Sequence, residues 1–100
     1  PDKSIMYDHF SVQLVEFLLK LDQIGDIKTE ELANEIAETT SKRAEEILNY
    51  YFDNKINNKY EIQRNLVSLN TLARAYSNHP NKELSEKYRN LFEINYEKNP

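Results

Sequence analysis

The sequence predicts an all-α protein, an antiparallel four-helix bundle of up-down-up-down or slightly irregular order, folded as one domain over residues 1–100. Three observations predict it. The 100 residues hold one glycine and three prolines, at positions 1, 80 and 100, so the interior lacks the punctuation that strands need between them. Apolar residues recur with a helical period in four segments. Finally, the segments between them are a few residues long, which makes consecutive helices antiparallel neighbours.

The first helix is expected over about 2–24, with Gly25 in the left-handed position that ends it. Its main stripe, Tyr7, Phe10, Leu14, Phe17, Leu18 and Leu21, is expected to face the core. Ile5, Val12 and Leu19, with Val15 beside them, form a second apolar line at seven-residue spacing on the far side. A bundle helix needs one apolar stripe, so a second implies burial on two sides, either in the centre of an irregular bundle or against another chain.

The second helix is expected over about 29–53, capped by Thr29, with Glu30 and Glu31 at the positive end of its dipole. Taking Ala33 as zero, Ile36, Ala37, Thr40, Ala44, Ile47, Leu48 and Tyr51 fall within about 60° of it at 100° per residue. A helix-turn-helix over 29–51 would have to break this phase at its turn, and no break occurs. One rod of roughly 39 Å is the expected form, at about 1.5 Å per residue.

The stretch DNKINN is rich in asparagine, which tolerates the unusual backbone angles of turns. Helix 3 is expected over about 58–77, with Asn58 and Glu61 at capping-box spacing and Ile62, Leu66, Leu69, Leu72, Ala73 and Tyr76 as its stripe. Pro80 stops it. Asn81 then caps helix 4, about 81–97, whose stripe is Leu84, Tyr88, Leu91 and Phe92.

Composition excludes most chemistry. There is no cysteine, hence no disulfide, thiolate metal site or cysteine nucleophile, and the mild default is a reducing, cytoplasmic setting. No apolar run reaches the length of a membrane span. Phosphate loops, nucleophile elbows and zinc-protease helices are missing, so no catalytic residue, metal ligand or cofactor is expected. Di-iron bundles need Glu three residues before His, whereas Met6 precedes His9 and Tyr76 precedes His79 at that spacing. Both histidines read as solvated or capping.

Charge is uneven, summing to −2 over residues 1–28, −5 over 29–54, +3 over 55–79 and 0 over 80–100. Lys55, Lys59, Arg64 and Arg74, with Tyr60 among them, have a composition suited to gripping phosphates. In an acidic chain they serve better to complement the second helix.

The expected function is therefore non-enzymatic protein binding, to another protein or to a second copy in a homodimer, as small intracellular inhibitors, adaptors and immunity-type factors do. The expected docking residues are Ile5, Val12, Val15 and Leu19 on the first helix, with Tyr50 and Phe52 flanking the end of the second. The alternative is a transcriptional regulator reading DNA through a helix-turn-helix at residues 29–51, in which Lys42 and Arg43 would meet phosphates.

Overall fold

A computed structural model describes the backbone of residues 3–22 and 27–99, and the side chains of residues 10–21 and 29–99. Four helices account for it: α1 (Lys3–Asp22), α2 (Ile27–Asp53), α3 (Lys59–Ala75) and α4 (Lys82–Lys98). Among the described residues there is no strand. Gly25, placed at the end of the first helix by the sequence, lies outside the described residues, as do the side chains of Ile5, Tyr7 and His9.

Two of the three caps expected from sequence are present. The Asn58 side chain accepts from the Glu61 N–H at 3.2 Å, and Asn81 accepts from Glu83 and Leu84 at 3.0 and 3.4 Å. Each satisfies backbone donors that the first turn leaves without a helical partner. Thr29 is a correction, because α2 already begins at Ile27 and Thr29 sits inside its first turn. Glu30 still lies in that turn, where the dipole favours it.

The end of α2 also differs from expectation. The Ile56 N–H donates to the Tyr51 carbonyl and the Lys55 N–H to the Phe52 carbonyl, the paired reverse bonds of a Schellman motif. That motif needs a left-handed residue, and the position falls on Lys55, at φ 54°, rather than on a neighbouring asparagine. A side chain with a Cβ is strained there. Lys55→Gly is accordingly expected to raise stability by about 1 kcal/mol, moving the thermal midpoint up by roughly 4–8 °C. A lowered midpoint in a melt followed by circular dichroism would show that the lysine is not strained.

α2 runs unbroken through residues 29–51, so the turn and second helix of a helix-turn-helix are absent. Ala33, Ala37, Thr40, Ala44 and Leu48 of its stripe are buried, while Ile36, Ile47 and Tyr51 are half-buried. Of the stripe expected on α3, Ile62, Leu66, Leu69, Leu72 and the C-cap residue Tyr76 are buried, and Ala73 is half-buried. On α4, Tyr88 is buried and Leu84, Leu91 and Phe92 pack against the core from its edge.

The bundle is not a closed square. α2 and α3 form the central pair; α1 lies against both on one side, and α4 against α3 and, less extensively, α2 on the other. Among the described residues the α1 and α4 backbones do not approach each other. The result is a flattened body with extents of 45 × 28 × 15 Å. Two clusters make up the core. One joins Val12, Val15, Leu18 and Leu19 of α1 to Ala33, Ala37, Leu72, Tyr76 and Tyr88. The other, formed by α2, α3 and α4, is built on Ala44, Leu48, Ile62, Leu66 and Leu69.

α1 corrects the sequence reading most sharply. Val12, Val15 and Leu19, expected on an outward docking face, are 3%, 0% and 7% exposed. Phe10, Leu14 and Phe17, expected inside, are 59%, 43% and 58% exposed. Volume explains the inversion. The space facing α1 is already filled by the rings of Tyr76 and Tyr88, both essentially fully buried, and the α2 wall there is Ala33 and Ala37. Valines fit such a gap in their preferred rotamers, whereas two phenylalanines would overpack it.

Candidate functional site

With its valines turned inward, α1 presents Phe10, Leu14 and Phe17 to the outside, at spacings of four and three residues. Half-buried Leu21 continues the line by another four and packs against the first core cluster. This alternation of fours and threes is the seam of two helices packed side by side, because it keeps one edge of the helix facing its neighbour. Among the described side chains of α1 the polar residues Gln13, Glu16 and Lys20 occupy a single wedge, and Gln13 and Glu16 of it face α3. Over residues 10–21 the remaining circumference is apolar except at Ser11, and α2 and α3 cover only part of it.

The area is large enough to matter. Three side chains half exposed leave roughly 300 Å² of apolar surface on one edge, given about 150–250 Å² for a whole aromatic side chain. That is the size at which an exposed patch on a small protein begins to signal a contact surface. Leu32 on α2, 48% exposed, stands one turn before Ile36, which itself packs against the cluster that α1 completes.

The two aromatic residues proposed at the end of α2 part ways. Tyr50 is 58% exposed, with its ring edge-on to Tyr51 at a centroid distance of 5.5 Å. Phe52 is half-buried and packs against the second core cluster. They flank the buried stripe on opposite sides, as consecutive helical residues must. Neither lies on α1, so the structure does not gather the sequence-predicted docking residues into one surface.

The basic residues are likewise scattered. Arg64 stacks its guanidinium 5.5 Å above the Tyr60 ring and bonds the Tyr60 hydroxyl at 3.1 Å. Both line a cleft of about 400 Å³ between α1 and α3. Lys55 and Lys59 sit at the α2–α3 turn, and Arg74 lies near the other end of α3, about 22 Å along the axis from Lys59 at 1.5 Å per residue. No continuous phosphate track results.

Sequence reasoning missed a polar cluster where the start of α2 meets the end of α3. The Tyr76 hydroxyl donates to Asn34 Oδ1 at 2.7 Å, and its ring lies 4.8 Å from Tyr88 and 5.3 Å from His79. His79 accepts the Asn81 N–H on Nδ1 at 3.0 Å, so the ring proton belongs on Nε2. Nε2 approaches Glu30 Oε1 at 2.9 Å, poorly aligned for a hydrogen bond. His79 thus braces the turn that leads into the Asn81 cap, while the His9 side chain lies outside the described residues. Burial above all, with the Glu38 charge next and the Ser41 hydrogen bond opposing, pushes the Tyr88 phenol up to about 12. Tyr76 is raised further, first by burial and then by the charges of Tyr88 and Glu30. Both phenols stay protonated at neutral pH and hold helices together rather than exchange protons.

Among the described residues no group of three or more His, Cys, Asp or Glu is placed to hold a metal ion. No described helix is long and apolar enough to cross a membrane. No protein-family model, no curated protein and no solved structure matches this chain.

Proposed function

We propose that this chain is a non-enzymatic protein-binding module that docks a helix of its partner along the outer edge of α1. The reading rests on one observation, the exposed line of Phe10, Leu14 and Phe17 at helix-seam spacing. The partner is another protein or a second copy of the chain, and the class is that of a small inhibitor, adaptor or immunity-type factor. A cytoplasmic setting belongs to the same proposal, since a chain without cysteine needs no oxidising compartment.

Magnitudes limit how tight such docking is. Removing roughly 300 Å² from water at about 25 cal/mol per Å² yields about 7 kcal/mol, against an association cost of about 4–15 kcal/mol. The edge of α1 alone therefore supports a weak complex, and a tight one requires a comparable apolar surface on the partner. The −4 net charge adds repulsion between identical copies.

Sedimentation of the purified chain and co-purification from its native host test the proposal together. The double substitution Phe10→Glu, Phe17→Glu is expected to abolish both self-association and partner capture, while changing folding stability by about 1 kcal/mol or less, as exposed positions do. Complexes that survive the double substitution unchanged would rule out this edge as the docking surface.

A further inference from the structure

A second site lies at the opposite end of the molecule from the tyrosine cluster, where the α2–α3 turn meets the end of α4. A cavity of about 390 Å³ opens there, floored by Tyr51, Phe52, Ile56 and Ile62. Its volume is within the range of about 300–1,000 Å³ typical of small-molecule sites. Lys55, Lys59 and Lys98 stand around it, and none of its described lining residues carries a carboxylate. No described residue forms an ion pair with any of the three.

Two of these lysines have a local explanation. Lys55 follows α2 and Lys98 closes α4, and the negative end of a helix dipole favours a cation at both places. Lys59 has the reverse environment. It is the first residue of α3, directly after the Asn58 cap, where the positive end of the dipole repels it. The other two lysines line the same cavity and add to that repulsion. Lys55 is moreover held in the left-handed region, at a backbone cost that glycine would remove. In a chain of net charge −4, three lysines without an ion-pair partner among the described residues line one cavity with an apolar floor.

We infer that this cavity binds a small single-chain anionic amphiphile, whose apolar body lies on Phe52, Ile56 and Ile62 while its carboxylate or sulfonate head is held by Lys55, Lys59 and Lys98. The head relieves the mutual repulsion of the lysines and takes charge-assisted hydrogen bonds from their ammonium groups. It also meets the backbone N–H groups of Lys59 and Tyr60, which precede the Glu61 N–H already taken by Asn58. A neutral ligand of the same shape gains only the floor. This site is separate from the α1 edge and stands or falls independently of it.

Decanoate, kept below its micelle-forming concentration, is the probe, and binding is followed by amide and methyl chemical shifts in the full chain. Saturable shifts are expected at Ile56, Lys59 and Ile62. Decanol and the Lys55→Gln, Lys59→Gln, Lys98→Gln triple variant are each expected to bind about tenfold more weakly or worse. All three substitutions are at exposed positions, and an unchanged thermal midpoint verifies that the triple variant is folded. Equal affinity for decanol, or for the triple variant, overturns the inference. So does failure to bind decanoate by a chain that nevertheless sediments with phosphatidylglycerol vesicles, which would assign the lysines to a lipid surface instead.

Discussion

Val15→Asp is expected to abolish cooperative folding. Val15 is fully buried against the α2 alanines and the tyrosine rings, and none of the side chains clustered with it carries a positive charge. A carboxylate there either stays ionised without a partner or takes up a proton at the cost of a large pKa shift, and each route costs about 4 kcal/mol or more. The lost valine packing adds roughly 1–3 kcal/mol. A domain of this length has a total stability of only about 5–15 kcal/mol, so the variant is expected to lose most or all of its structure. Circular dichroism and a thermal melt provide the measurement. A variant that melts cooperatively within a few degrees of the parent would mean that α1 packs on its other side, and the docking edge proposed above would be lost with it.

Alkaline unfolding is the second large effect. In the unfolded chain a tyrosine ionises near pH 10, whereas Tyr88 in the fold does so at about 12 and Tyr76 higher still. Between these values the unfolded state has released protons that the folded state keeps. Stability is therefore fully present below about pH 9 and falls as pH rises past about 10. A shift of two units at Tyr88 corresponds to roughly 2–3 kcal/mol by about pH 12, and Tyr76 adds its own loss. Urea midpoints measured across this range are expected to decline as Tyr76 and Tyr88 ionise on unfolding. Tyr88→Phe removes one ionising group and should flatten the decline. A midpoint independent of pH up to about 12 would show that the two phenols are not sequestered.

Most of the architecture was legible because helical periodicity and polar caps are local signals. The rod of α2, the caps at Asn58 and Asn81 and the buried stripe of α3 follow from residues within a turn or two of one another. What the sequence misplaced depends on volume and partners. Both sides of α1 are apolar, so its orientation is decided by the gap that Tyr76, Tyr88 and two alanines leave, and no property of α1 alone encodes that gap. The candidate edge was visible as a set of residues but assigned inward. Polar character misled in the same way. Ser41, Asn65, Ser68 and Asn95 are buried, and all four satisfy a carbonyl three or four residues earlier on their own helix, which a hydropathy pattern scores as solvation. Among the lysines, Lys55 and Lys59 are close in sequence, but only the fold brings Lys98 to them.

The separation of the two outer helices also bears on how quickly the chain reaches its native form. The α1 and α4 backbones stay apart, so every helix backbone packs on neighbours adjacent in the chain or one removed, and α4 reaches the cluster that α1 completes only through side chains such as Tyr88 and Leu84. Closing such short loops costs little entropy, which places the protein among fast-folding topologies. A nascent chain can pair its first three helices before the fourth has been synthesised, and the cluster around Val15 closes when Tyr88 arrives.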